Sequence, residues 1–214
     1  MFFQTNEMVA VDKKDHIIHI AIELFAEKGF EGTSIRELAT KADVNVAMVN
    51  YYFGSKNKLF EAIVEKKASH MKGKLVELQA NTTLTELQKI DVIIESYVDR
   101  LLSQPGYHRV IHQELLVKQR ISLQDSIVKI FAGNTQIVKS IIEAGIKKKV
   151  FKKVDPELTM ASIIGTINQV MLSKSMCLML IQKGDDFDPY TDKAFRKRLE
   201  THLKQMIHAY LLIV

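Results

Sequence analysis

The fold of this chain is decided by residues 33–60, which read TSIRELATKADVNVAMVNYYFGSKNKLF. The apolar spacing predicts three short helices, over about 33–42, over about 45–53, and from Ser55 onward. The turn between the first two has about three residues, the length expected in a helix-turn-helix. A helix of about eight residues is unstable alone, so we expect the neighbouring chain to hold it in place.

The segments on either side supply that support. A first helix is predicted to begin near Asp15 and to run to about Lys28, after a patternless arm at residues 1–12. Thr33 is the expected N-cap of the next helix. The helix after Ser55 should continue to about Leu78, so we expect it to link the N-terminal part to the rest of the chain.

In this stretch the chain resembles the tetracycline-repressor (TetR) family of bacterial transcription regulators. The resemblance covers about residues 15–65. It rests on Gly29-Phe30, Gly32-Thr33-Ser34-Ile35, Arg36-Glu37-Leu38-Ala39, Ala42-Asp43-Val44-Asn45, Asn50-Tyr51-Tyr52-Phe53-Gly54-Ser55-Lys56 and Leu59. It implies an N-terminal DNA-binding domain and a larger C-terminal domain for ligand binding and dimerisation. Neither catalysis nor a cofactor is implied.

The helix over about 45–53 would enter the major groove of double-stranded DNA. Outward side chains there would meet base edges, because Asn can pair with adenine and small apolar groups can touch a thymine methyl. Hydroxyls and Arg at the start of the preceding helix suit phosphates. Tyr52 and Lys56 would hold the flanking DNA backbone, as the equivalent positions do in this family. The DNA-binding candidates are Thr33, Ser34, Arg36, Asn45, Val46, Ala47, Asn50, Tyr51, Tyr52 and Lys56.

The sequence departs from the family's commonest pattern at two positions. Asp43 stands where Gly is frequent, so we expect a stiffer turn. Asn50 stands where Tyr is frequent, so an operator sequence cannot be borrowed from relatives. The alternative is that residues 45–53 form a short packing helix in an unrelated bundle.

The composition is that of an ordinary soluble protein, with 47% hydrophobic and 26% charged residues among 214. Nine Gly, three Pro and one cysteine favour long helices in a reducing compartment, and we expect a cytoplasmic protein without a membrane span. Although the net charge is +5, residues 1–60 hold seven Lys and Arg against eight Asp and Glu. DNA binding therefore depends on the placement of Arg36, Lys56 and Lys58.

No strand-like alternation is present, and the pattern predicts an all-α fold of about nine helices. We expect a helix-turn-helix domain over residues 1–60 and a second domain over 61–214. The last two helices, about 156–183 and 190–213, have broad apolar faces that predict a homodimer through a four-helix bundle. The alternative is that these faces are covered within one large monomer.

The middle of the chain resembles the family only in its layout, which implies a pocket for an unidentified, largely apolar small molecule. Polar residues on otherwise apolar helices are the ligand-binding candidates: Tyr97, His108, His112, Arg120, Asn168, Gln169 and Ser173. The lysines of residues 147–149 and 152–153 are interpreted as cations at the negative end of a helix.

The expected function is ligand-responsive repression of transcription by a dimer on a palindromic operator, released by its effector. A metal-dependent enzyme is one alternative, since His108 and His112 share a helix face and Glu114 follows them. Position 109 is Arg rather than the Glu of a metalloprotease motif, and no close third ligand is evident, so we predict no metal. A helical scaffold that no longer binds DNA is the second alternative.

Overall fold

The computed structural model describes residues 2–117 and 121–213, with side chains from residue 13 onward. This part of the chain is helical, with one isolated bridge between Phe151 and Leu212. The all-α prediction is therefore confirmed. The ten helices are α1 (Phe2–Lys28), α2 (Ile35–Lys41), α3 (Val46–Phe53), α4 (Lys56–Ala80), α5 (Glu86–Ser103), α6 (Pro105–Leu116), α7 (Ile121–Lys147), α8 (Pro156–Leu172), α9 (Lys174–Ile181) and α10 (Lys193–Leu211).

The tenth helix arises because the predicted helix over 156–183 is broken at Ser173. The backbone of Ser173 is extended, and its hydroxyl accepts a hydrogen bond from the Met176 amide at 3.3 Å. A serine that caps a new helix in this way competes with continuation of the old one. The axes of α8 and α9 consequently differ by 104°.

Helix α1 begins at Phe2, so both the predicted arm and the predicted start near Asp15 are wrong. Residues 2–14 contain no Gly or Pro that would stop a helix. Asp15 lies inside the helix and therefore does not cap it, and its carboxylate forms an ion pair with Lys66 at 2.6 Å.

The chain forms two compact units that do not follow the predicted division at residue 60. The first unit comprises the chain up to Ser69 together with Gly106–Ile130, and the second comprises His70–Pro105 and the chain from Phe131 onward. Residue 60 lies inside α4, and α6 belongs with the N-terminal helices. A functional boundary at this point remains a prediction.

The first unit is held together by three aromatic rings. Phe25 of α1, Phe30 of the following turn and Phe60 of α4 lie with their ring centroids 5.3–5.7 Å apart, in edge and tilted arrangements. Such pairs contribute about 0.5–1.5 kcal/mol each beyond their buried area. The trio packs α1, the turn that follows it and α4 against one another.

The second unit has an apolar core made by α5, α8 and α10 together with parts of α4 and α7. Helices α5 and α10 are also joined along their length by three contacts between acidic and basic side chains, whose members recur every four or eight residues. One helix face is therefore acidic and the other basic. The pairs are Asp91 with His208, Glu95 with Lys204, and Asp99 with Arg196.

Among the described residues, no single helix is long and apolar enough to cross a membrane. Helices α8 and α9 reach the required length and hydropathy only when taken together across their bend.

Candidate nucleic-acid interface

The start of α2 differs from the sequence prediction. Ser34, not Thr33, is the N-cap, and its hydroxyl accepts a hydrogen bond from the Glu37 amide at 3.1 Å. The Thr33 side chain is buried, and its hydroxyl donates to the carbonyls of Gly29 at 2.9 Å and Leu24 at 3.3 Å. The predicted contact between this hydroxyl and a phosphate is therefore wrong, since Thr33 instead ties α2 to the end of α1.

The turn between α2 and α3 contains a left-handed residue. Asp43 has φ +52, a conformation that costs most non-glycine residues about 1–2 kcal/mol. The Val44 amide donates to the Ala39 carbonyl at 3.0 Å, which closes the turn. Asn45 then caps α3 by accepting from the Met48 amide at 2.7 Å. The side-chain oxygen of Asn45 is thus engaged in capping.

Helix α3 has one inward and one outward face. Val49 and Phe53 are buried and anchor it, whereas Val46 is exposed. Four of the candidates for base contact lie on the exposed face: Val46, Ala47, Asn50 and Tyr51. Tyr51 is 84% exposed, and its ring meets the half-buried Tyr52 ring edge-on at 5.4 Å. The outward face therefore offers one amide and one aromatic ring to a partner.

Lys56, which the sequence predicted as a phosphate contact, is half-buried and already has partners within the chain. Its side chain is 22% exposed, and its ammonium donates to the carbonyls of Phe30 at 2.8 Å and Thr33 at 3.1 Å. The same ammonium lies 4.4 Å from the centroid of the Phe30 ring. Lys56 therefore fastens the start of α4 to the turn before α2.

Several cations of the first unit are paired with carboxylates. Lys41 meets Glu23 at 3.3 Å. Lys28 pairs with Glu37, and this contact raises the pKa of Lys28 and lowers the pKa of Glu37. Arg36 is exposed and has no acidic partner in the described part of the chain. Arg36 is therefore the cation of α2 that remains available to a phosphate.

The structure places the described ligand-binding candidates on helices α5, α6 and α8 and at the start of α9. Ser173 caps α9, and Gln169 is exposed on α8. Tyr97 is buried, and this burial raises the pKa of its phenol. His108 is buried on α6, whereas His112 of the same helix and Asn168 of α8 are half-buried.

Arg120 lies outside the described residues. In the described ranges, no group of three or more His, Cys, Asp and Glu side chains is placed to hold a metal ion. The roles of the remaining ligand-binding candidates stay predictions.

Two cavities open on the second unit, of about 340 and 300 Å³, and none of the described ligand-binding candidates lines either of them. The larger contains a buried carboxylate, Glu86, and a buried ammonium, Lys89. The sequence carried a signal for this site, since both charges fall on the apolar stripe of α5 together with Ile90 and Ile93. Charges at core positions are rare unless paired, so the stripe itself pointed to a buried charged site.

Comparison with known proteins agrees with this geometry. Residues 17–63 match the family described as bacterial regulatory proteins, tetR family. The chain is 32% identical over 145 residues to the "Probable HTH-type transcriptional regulator YttP" of Bacillus subtilis, covering 65% of this chain and 67% of that protein. It is 26% identical over 140 residues to the HTH-type transcriptional repressor NicS of Pseudomonas putida, covering 65% and 66%.

Among solved structures, the transcriptional regulator FadR from Bacillus subtilis, crystallised in complex with stearoyl-CoA, superimposes with a TM-score of 0.70. The match covers 90% of this chain and 96% of that one at 21% identity. At this identity the likeness establishes a shared fold.

Proposed function

Because this chain belongs to the TetR family of bacterial regulatory proteins and is a DNA-binding transcriptional regulator, we propose that it acts in the cytoplasm as a homodimeric repressor. In this proposal the dimer binds a palindromic operator, and a small-molecule effector releases it. The observation that carries the proposal is the presentation of α3, a short helix anchored by Val49 and Phe53 with its opposite face exposed.

Each exposed group of this face has a chemistry that suits DNA. The Asn50 amide can donate to and accept from an adenine edge, and Ala47 and Val46 can touch a thymine methyl. The Tyr51 ring is 84% exposed and can contact a base edge or a sugar. Arg36 and Ser34 at the start of α2 can meet the phosphates on one side of the groove.

Dimerisation is supported by the outer side of α8. Ile163 and Ile167 on its inner side are buried, whereas Leu158, Gly165 and Leu172 on its outer side are exposed. A side chain added at Gly165 would meet open space. Small and apolar residues spaced by about seven along a helix allow another helix to approach closely. We assign this face, with α10, to the contact between two copies of the chain.

Response to an effector is supported by the family and by the similarity in fold to FadR, whose structure contains stearoyl-CoA. In a two-state scheme, the effector binds better to the form whose two recognition helices no longer fit successive grooves. Among the predicted contacts, Tyr97, His108, His112 and Asn168 remain candidates for this role.

The DNA-binding proposal is tested by fluorescence anisotropy with DNA taken from upstream of the gene. We expect salt-dependent, sequence-specific binding by the wild-type chain. Asn50→Ala should weaken specific binding by about 1–3 kcal/mol and relax preference at one base pair. Gln136→Ala, on an exposed position of α7, is the matched control and should bind as the wild type does. Equal affinity for operator and random DNA would refute the proposal.

The dimer proposal is tested by sedimentation. Gly165→Arg adds a long charged side chain to the face assigned to the contact, while the space around Gly165 within one chain is open. We therefore expect a folded monomer from Gly165→Arg and a dimer from the wild type. An unchanged dimer in Gly165→Arg would place the contact elsewhere.

A further inference from the structure

The larger cavity of the second unit, of about 340 Å³, is a built polar site. It lies where the end of α4, the start of α5 and the end of α7 meet. Its polar lining comes from Gln79, Asn81, Thr82, Glu86, Lys89, Ser140 and Lys148, and its apolar lining from Leu84, Ile141 and Ala144. The volume is within the range of small-molecule sites.

The charge inside the cavity is unbalanced toward positive. Glu86 is 5% exposed, and its two carboxylate oxygens face two lysines, with Lys148 in direct contact and Lys89 at 3.8 Å. One carboxylate therefore faces two ammonium groups. Lys147 and Lys149 are exposed beside Lys148 and strengthen the positive potential at the entrance.

The buried ammonium has unused hydrogen-bonding capacity. Lys89 is 6% exposed and has three N–H donors, of which one reaches the Gln79 carbonyl at 3.1 Å. Glu86 lies beyond hydrogen-bond distance from it, and no other described residue accepts from this ammonium. Burying a charged donor with unsatisfied N–H groups is costly, so the cavity favours a ligand that supplies oxygen acceptors.

We propose that this cavity binds a small organic oxyanion, a carboxylate or a phosphate monoester, between Lys89 and Lys148. The oxyanion accepts hydrogen bonds from both ammonium groups, while the body of the molecule lies along Ile141 and Ala144. The amide and hydroxyl groups of Gln79 and Ser140, which bond to each other at 2.6 Å, lie at the same wall.

The site also suggests how such a ligand regulates DNA binding, a consequence that rests on the function proposed above. Lys89 holds the carbonyl of Gln79, the next-to-last residue of α4. The same helix begins at Lys56, three residues after the end of the recognition helix α3. An oxyanion that draws the Lys89 ammonium toward itself weakens its bond to Gln79, and this changes the restraint on the far end of α4.

The binding test uses calorimetric titration of the full-length protein with inorganic phosphate and, separately, with butanoate, at constant ionic strength. We expect at least one probe to bind saturably, with a Kd on the order of 1 mM. Binding of phosphate alone identifies a phosphate ester as the ligand class, and binding of butanoate alone identifies a carboxylate. No saturation by either probe up to about 50 mM would overturn the proposal.

Three variants separate binding at this site from general attraction of anions. Lys148→Ala, an exposed position, should weaken binding about tenfold or more, because a charged hydrogen bond is lost. Lys147→Ala, its neighbour outside the cavity lining, should change the Kd by less than about twofold. Equal effects of the two substitutions would overturn the proposal.

Glu86→Gln gives the most informative result. It keeps the shape of the side chain but removes the carboxylate that competes with the ligand for the two ammonium groups. A purely structural role for Glu86 predicts weaker binding or none, whereas the proposal predicts a tighter complex, by on the order of tenfold. A folded Glu86→Gln protein that binds the probes more weakly would contradict the proposal.

Operator affinity is measured in a separate experiment, without and with the bound probe. If the protein binds the operator but neither probe, the proposed oxyanion site is overturned and the repressor function is not. If the wild-type protein does not bind the operator, the proposed repressor function is overturned. The result of the probe titration then still decides whether the oxyanion site exists.

Discussion

Replacing Lys56 by Ala distinguishes a role in binding phosphate from a role in stabilising the fold. As an exposed phosphate contact, Lys56 would affect DNA binding and leave stability unchanged. In the structure, its ammonium donates to the Phe30 and Thr33 carbonyls and lies over the Phe30 ring. Hydrogen bonds to a charged group contribute about 1.5–3 kcal/mol each, and a cation–π contact about 0.5–2 kcal/mol.

The loss in Lys56→Ala is smaller than the sum of these contributions, because the side chain is 22% exposed and water can replace it at the carbonyls. We expect a decrease of about 2 kcal/mol in the free energy of unfolding. For a chain of this length this corresponds to a fall of about 4–8 °C in Tm.

The assay is thermal and urea unfolding followed by circular dichroism, without DNA and at one fixed protein concentration, because a dimer's stability depends on concentration. Lys58→Ala is the matched control. Lys58 is 66% exposed and pairs with Glu61 in the same helix, so its loss should cost less than about 0.5 kcal/mol. If Lys56→Ala unfolds within about 0.5 kcal/mol of the wild type and loses DNA affinity, the structural reasoning is refuted.

Three further predictions concern other parts of the molecule. Gly145→Ala places a methyl group 2.1 Å from the buried Phe151 ring and should destabilise by about 3 kcal/mol in urea unfolding; a loss below about 1 kcal/mol would contradict the close approach. Asp43→Gly relieves a left-handed residue and should raise stability by about 0.5–1 kcal/mol, and a lower Tm would argue against strain in the turn. Lys139 lowers the pKa of Glu157. This pair therefore stabilises the fold above the unfolded-state pKa of Glu157 and ceases to do so as the pH falls through the lower folded value. In an NMR titration Lys139→Ala should raise the pKa of Glu157, and an unchanged value would contradict the pairing.

Local sequence signals predicted the recognition helix well. Its N-cap Asn45, its buried anchors Val49 and Phe53, and its stop at Gly54 depend on residue type and spacing within ten residues. These features need no knowledge of distant contacts. The exposed face of α3 followed from the same periodicity.

The roles of Thr33 and Lys56 could not be predicted in this way. A threonine just before a helix predicts an N-cap, and a lysine in a DNA-binding domain predicts a phosphate contact. In the structure both side chains are engaged by carbonyls at the α1–α2 turn, and Lys56 makes contacts across 26 and 23 residues of sequence. Only the tertiary arrangement of α4 against that turn decides the role of Lys56.

The break at Ser173 and the charged cavity illustrate the same limit. A serine inside an apolar run is compatible with one long helix or with two capped ones, and packing around α9 decides between them. Glu86 and Lys89 are recognisable as charges on an apolar stripe, but Lys148, which pairs with Glu86, is more than fifty residues away. The sequence indicates that such charges need partners without identifying them.

Footprinting of the upstream DNA shows whether two copies of this chain each place one α3 in a major groove. The expected result is a two-fold symmetric footprint whose half-sites lie about 34–36 Å apart or a multiple of that distance. Asn50→Ala should weaken protection at both half-sites together, since each copy contributes the same residue. Protection of a single asymmetric site, or none at low salt, would contradict the account.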